Sequence, residues 1–151
     1  MGRGPLIVLV HGTFGRNSEW TTPGSTFLRL LAAQFPAPPL FWVFRWSGDN
    51  SEAARARAGI DLCRFLKALS CRWPAKKCYV IAHSHGGNIA RQALSLPSSP
   101  TCGLVTLATP YLDFSARRLA CIIHERIANG VFGLYEIGEN AGGVVILPWR
   151  T

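Results

Sequence analysis

Ser84 is the residue of this sequence whose surroundings best fit a chemical role. One histidine separates it from the apolar run Tyr-Val-Ile-Ala before it, and another separates it from two consecutive glycines after it. A sharp turn from a strand into a helix would lift its hydroxyl clear of a sheet, and bulky residues two positions before or after it would clash. Ala82 and Gly86 stand at those two positions and are small. The pattern predicts a nucleophilic serine, and the simpler alternative is an ordinary strand–turn–helix junction.

The predicted turn would also stabilise negative charge on an oxygen near the serine. A helix that begins just beyond Ser84 directs free N–H groups and the positive end of its dipole towards the hydroxyl. The N–H of His85 is the first expected donor. His83 and His85 are too close in sequence to Ser84 to be read as its base, and His83 is interpreted as a packing residue.

A second motif, His-Gly-Thr-Phe-Gly at residues 11–15, follows the first apolar run, Leu6–Val10. A first strand that ends in His-Gly, with a serine turn one βαβ unit later, resembles the α/β-hydrolase family of lipases and esterases. In that family the loop after His-Gly supplies a second N–H for the oxyanion. The resemblance implies that Thr13 or Phe14 supplies it here.

Two further features refine this resemblance. The Ala-x-Ser-x-Gly form around Ser84 is similar to that of small bacterial lipases, and Thr-Leu-Ala-Thr-Pro at residues 106–110 looks like a strand end of several lipase-like and lipid-deacylase branches. The resemblance covers residues 6–110 and fades beyond them. It implies a serine hydrolase that cleaves carboxylic esters of small molecules or lipids, with no metal and no organic cofactor.

The base and the acid of a catalytic triad would come after the serine in this family. Asp113 follows the Thr-Pro strand end, and His124 is the only histidine beyond His85. By chain order Asp113 is the expected acid and His124 the expected base. The alternative for Asp113 is a residue that stabilises a helix N-terminus. The alternative for His124 is a half-buried surface histidine. The chain ends where the family usually has more strands, so we expect a minimal or truncated fold. The competing hypothesis is a catalytically incomplete fragment that acts as a binding module or is an inactive product.

Alternating strand and helix patterns must position these motifs. We predict strands at residues 6–10, 40–45, 78–82 and 104–108, a further strand at 143–147, and helices at about 25–34, 51–69, 87–96 and 116–129. Strands and helices that alternate in this way favour right-handed βαβ units. The expected fold is therefore α/β, a mostly parallel sheet with helices on both faces, in a single domain over residues 1–151.

Composition limits the partners. The 151 residues are 48% hydrophobic and 16% charged, which is typical of one packed globular domain. The net charge of +8 favours an anionic partner, but no motif that reads bases or binds phosphate accompanies it. We therefore expect a basic surface and no nucleic-acid site.

The cysteines and the apolar runs bear on location and assembly. The five cysteines form no Cys-x-x-Cys pair and no zinc pattern, so reduced thiols are expected. The N-terminal apolar run is too short for a signal peptide, and no run approaches the ~20 residues of a membrane span. These features predict a cytoplasmic protein without stable membrane insertion. A short sheet would leave an apolar edge, which predicts a homo-oligomer.

Overall fold

The strands and helices alternate along the chain as the sequence predicts. The computed structural model describes residues 4–111 and 144–146. In chain order its elements are β1 (Leu6–Val10), a 3₁₀ turn (Glu19–Thr21), α1 (Thr26–Ala32), β2 (Leu40–Phe44), α2 (Glu52–Arg72), β3 (Cys78–His83), α3 (His85–Ser95), β4 (Gly103–Leu107) and β5 (Val144–Ile146). The predicted helix 116–129 lies outside the described residues. Helix α3 begins earlier than predicted, directly after Ser84.

The strands form one mixed sheet in the order β2-β1-β3-β4-β5. Strands β1 to β4 are parallel, and β5 is antiparallel to β4. The chain leaves β1 for its neighbour on one side and leaves β3 for its neighbour on the other. In open α/β sheets, ligands bind at the carboxyl ends of the strands where the order reverses, which here is between β1 and β3.

Both faces of the sheet are covered, as predicted. Leu6, Val8 and Val10 of β1 belong to an apolar cluster that includes side chains of α2 and α3. Ile7 and Leu9 belong to a second cluster, on the face that α1 covers. No side chain of β1 is more than 1% exposed. An unbroken apolar strand is what a parallel sheet covered on both faces requires.

The starts of two helices are determined by serines. The hydroxyl of Ser25 accepts a hydrogen bond from the N–H of Leu28 at 3.3 Å, at the start of α1. The hydroxyl of Ser51 accepts one from the N–H of Ala54 at 3.1 Å, at the start of α2. Each satisfies one of the free N–H groups of a helix N-terminus. The sequence predicts the cap at Ser25, and of the two caps it allows for the second helix, Asn50 and Ser51, the structure uses Ser51.

Strand β2 lies at one end of the described sheet, and Leu40 and Trp42 on it are each 38% exposed. The homo-oligomer that the sequence predicts stays a prediction. Among the described residues, no helix is both long and apolar enough to cross a bilayer.

Candidate active site

Ser84 lies on the turn between β3 and α3, in a backbone conformation that side chains rarely adopt. Its φ is 53° and its ψ is −134°. Such a conformation costs about 1–3 kcal/mol and persists only where neighbouring contacts enforce it. Here the N–H of Ser84 donates to the carbonyl of Leu107 at 2.8 Å, and its own carbonyl accepts from the N–H of Gly87 at 2.9 Å. The turn is thus tied to β4 on one side and to α3 on the other.

Two glycines allow the turn to approach the end of β1. A Cβ on Gly86 would lie 2.6 Å from the carbonyl oxygen of His11 and 2.7 Å from that of Val10. A Cβ on Gly12 would lie 2.7 Å from the Cβ of Ser84 and 3.3 Å from its Oγ. The first turn of α3 therefore packs on the carboxyl end of β1, and the His-Gly loop lies against the serine.

The N–H groups that the two motifs offer as oxyanion donors differ in whether they are free. His85 is the first residue of α3, and its N–H has no acceptor among the described residues. The N–H of Phe14 donates to the carbonyl of Gly48 at 2.9 Å. Within the described part of the chain, the N–H of Thr13 has no acceptor. Of the two oxyanion donors that the His-Gly motif left open, the Phe14 N–H is thus engaged and the Thr13 N–H is available.

His11 is fully buried and both of its ring nitrogens are engaged. With Nδ1 as the protonated nitrogen, an assignment taken from the hydrogen bonds, Nδ1 donates to the carbonyl of Gly12 at 2.9 Å. Nε2 then accepts from the backbone N–H of Trp46 at 3.3 Å. Burial lowers the pKa of His11, and the positive charges of Arg45 and Arg16 act in the same direction. His11 is therefore a neutral structural residue of the site.

The two histidines that flank Ser84 have different surroundings. His83 is exposed and packs edge-on against Trp20, with ring centroids 6.2 Å apart. Burial lowers the pKa of His85, and the charge of Arg55 lowers it further. The Nδ1 atom of His85 is buried and has no hydrogen-bond partner among the described residues. Neither ring is hydrogen-bonded to Ser84.

The structure brings four of the predicted site residues to one edge of the sheet: Ser84, His85, Thr13 and Phe14. Asp113 and His124 lie outside the described residues, so their roles stay predictions. In the described part of the chain, no group of three metal-ligating side chains is close enough to hold a metal ion.

Sequence reasoning missed Trp46 as a residue of the site. Its ring stacks on His11 with centroids 5.6 Å apart and planes 11° apart. Val10 and Phe44 are paired in the register of β1 and β2, so the residues just after them are neighbours. Once β2 is known to adjoin β1, this register is the signal that relates Trp46 to His11.

This geometry agrees with the family comparison. A model of the alpha/beta hydrolase family matches residues 7–147, so the chain belongs to the α/β-hydrolase family. The match confirms the resemblance inferred from the motifs and extends it beyond residue 110, where the motifs end. No curated protein matches the sequence.

Two hydrolases are among the solved structures that match this chain. The mature form of the Bacillus licheniformis lipase BlEst2 is 22% identical, with a TM-score of 0.52 over 73% of this chain and 42% of the lipase. An acetylxylan esterase is 15% identical, with a TM-score of 0.44 over 62% of this chain and 48% of the esterase. At these identities the likeness to the lipase is one of fold alone. The chain spans less than half the length of either protein.

Proposed function

We propose that this chain hydrolyses carboxylic esters through an acyl-enzyme intermediate on Ser84. The observation that carries the proposal is the backbone of Ser84, with a φ of 53° in the turn from β3 into α3, against Gly12 just after the carboxyl end of β1. A serine in this strained turn is the nucleophile position of the α/β-hydrolase fold. Family membership and the likeness of fold to a lipase support the same proposal.

The proposed reaction has two halves. In the first, Ser84 Oγ bonds to the carbonyl carbon of the ester while a histidine takes its proton. The N–H groups of His85 and Thr13 bind the oxyanion, the ester C–O bond breaks, and the alcohol leaves with that proton. In the second, water attacks the acyl-serine, the same histidine takes a proton from the water, and the acid is released with the Ser84 hydroxyl restored.

We assign the base to His124 and its orienting acid to Asp113. Both follow Ser84 in the order that the family uses, serine, acid, histidine. His11 is a poor alternative because both of its ring nitrogens are engaged.

A fluorophosphonate probe tests the nucleophile, because it labels only an activated serine. We expect the full chain to be labelled and the Ser84→Ala variant not to be. Ser95→Ala is the matched control, since Ser95 Oγ donates to the carbonyl of Arg91 at the exposed far end of α3. Equal labelling of the wild-type chain and Ser84→Ala would contradict the proposal. If neither the wild-type chain nor any variant is labelled, the result favours the hypothesis of a catalytically incomplete binding module.

The rate at which the chain hydrolyses a short p-nitrophenyl ester tests the assignment of the base. His124→Ala should reduce turnover by about three or more orders of magnitude, the scale seen when a triad base is removed. His83→Ala is the control, because His83 is exposed and packs on Trp20. Near-normal turnover in His124→Ala would instead indicate a base from elsewhere, such as a second subunit.

A further inference from the structure

Hydrogen bonds connect the loop that follows β1 to the loop that follows β2. Trp46 donates to His11, and Gly48 accepts from Phe14. The indole N–H of Trp46 donates to the carbonyl of His11 at 2.8 Å, and its backbone N–H donates to His11 Nε2 at 3.3 Å. The carbonyl of Gly48 accepts from the N–H of Phe14 at 2.9 Å. Residues on either side of Thr13 are therefore bonded to one segment, residues 46–48.

These contacts lie away from water and in a constrained backbone. His11 is 0% exposed and Trp46 is 5% exposed, so their hydrogen bonds do not compete with solvent. Gly48 has a φ of 81°, a value that residues with a Cβ adopt only with strain. A Cβ there would also lie 3.4 Å from the backbone nitrogen of Phe14. Trp46 and Gly48 thus constrain the conformation of this segment, and neither residue is hydrogen-bonded to Ser84.

The consequence concerns the N–H of Thr13. Gly48 accepts the N–H of Phe14, whereas the Thr13 N–H has no acceptor in the described part of the chain. Thr13 directly follows Gly12, which lies against Ser84. We propose that Trp46 is a positioning residue for the ester hydrolysis proposed above: through His11 and Gly48 it holds the loop after β1 so that the Thr13 N–H stays free to bind the oxyanion. This inference rests on the proposed function. Trp46 itself would touch no reacting atom.

The role predicts a specific kinetic effect. A donor to the oxyanion acts more strongly in the transition state than in the bound substrate, so its misplacement lowers kcat and leaves KM nearly unchanged. Loss of one such donor costs about 10²–10³ in kcat, and a displaced donor should cost less. A merely structural role for Trp46 would change stability without this division between kcat and KM.

The experiment compares Trp46→Phe with Trp73→Phe in the full chain. The first change keeps an aromatic ring and removes the indole N–H that binds the carbonyl of His11. Trp73 follows the C-terminus of α2, where it packs on Trp42 and Arg72, and its change is the control. We expect Trp46→Phe to lower kcat and the rate of fluorophosphonate labelling about tenfold to a hundredfold, with KM within about twofold. Trp73→Phe should have wild-type kinetics, and thermal unfolding should show that both variants fold.

A second measurement does not depend on activity. The N–H of Phe14 should exchange slowly with solvent in the wild-type chain, because it is bonded to Gly48, and faster in Trp46→Phe and in Gly48→Ala. Wild-type kcat and unchanged exchange in Trp46→Phe would overturn the proposal, as would an equal loss of kcat in Trp73→Phe. A wild-type chain that the probe does not label contradicts the hydrolysis itself, and with it the role of Trp46 in that reaction. The exchange rates would then still report whether Trp46 orders the loop.

Discussion

The turn at Ser84 and the loop after β1 form the two halves of the candidate site within the described residues, and they are held in different ways. The Ser84 turn depends on backbone packed against backbone, with Gly86 beside the carbonyls of Val10 and His11. The loop after β1 depends on hydrogen bonds from Trp46, which is 35 residues from His11 in sequence. The turn therefore requires small residues close to the serine in sequence, whereas the loop after β1 requires, besides its glycine, a particular side chain at a remote position.

The largest loss of stability is expected from a substitution at Gly86. A Cβ there would meet two backbone carbonyl oxygens at 2.6 and 2.7 Å, and backbone atoms cannot rotate away. We expect Gly86→Ala to lower the free energy of unfolding by about 1–3 kcal/mol, the usual cost of overpacking, as measured by urea denaturation.

Gly59→Ala is the matched control for that change. Its Cβ would also meet atoms at 2.7 Å, but they belong to the flexible side chain of Gln92. Alanine is also favoured over glycine inside a helix by about 1 kcal/mol. Gly59→Ala should therefore be nearly neutral, and an equal loss in both variants would contradict the backbone explanation.

A smaller effect is expected from the strain at Ser84. Glycine adopts a φ of 53° readily and alanine does not, so Ser84→Gly should be more stable than Ser84→Ala, by about 1 kcal/mol. The same pair of substitutions at Ser95, the last residue of α3, should have the opposite order, because helical positions favour alanine. Thermal unfolding of the four variants tests this. A Ser84→Gly variant that is no more stable than Ser84→Ala would mean that the turn is not strained.

The smallest effect concerns the dependence of stability on pH in the loop after β1. Burial holds the pKa of His11 below its ordinary value of 6.5, so the unfolded chain binds a proton there more readily than the folded chain does. The contribution of His11 to stability is thus present above pH 6.5 and is lost as the pH falls from 6.5 through the folded pKa. Urea denaturation between pH 7.5 and 5 should show a decline that is shallower in His11→Gln.

The His85→Gln variant measures how much the titration of His85 contributes to this decline. The pKa of His85 is lowered too, so its replacement should also flatten the curve, independently of His11. A decline that neither substitution alters would show that the pH dependence arises elsewhere in the chain.

Much of the fold and half of the site could be predicted from local patterns. The unbroken apolar run Leu6–Val10 predicts a strand buried on both faces. Ser25 predicts the start of one helix, and the pair Asn50 and Ser51 predicts the start of another to within one residue. The turn at Ser84 was predictable for the same reason. The turn requires small residues at fixed positions close to the serine in sequence, so the sequence around Ser84 is enough to recognise it.

The other half of the site was decided by tertiary structure. The types of residues 11–15 left Thr13 and Phe14 equivalent as donors, and only the carbonyl of Gly48 distinguishes them by accepting the N–H of Phe14. That contact exists because β2 lies beside β1 in the sheet. Strand order follows from how helices pack on the two faces of the whole sheet, so no local pattern around His11 encodes its hydrogen bonds to Trp46.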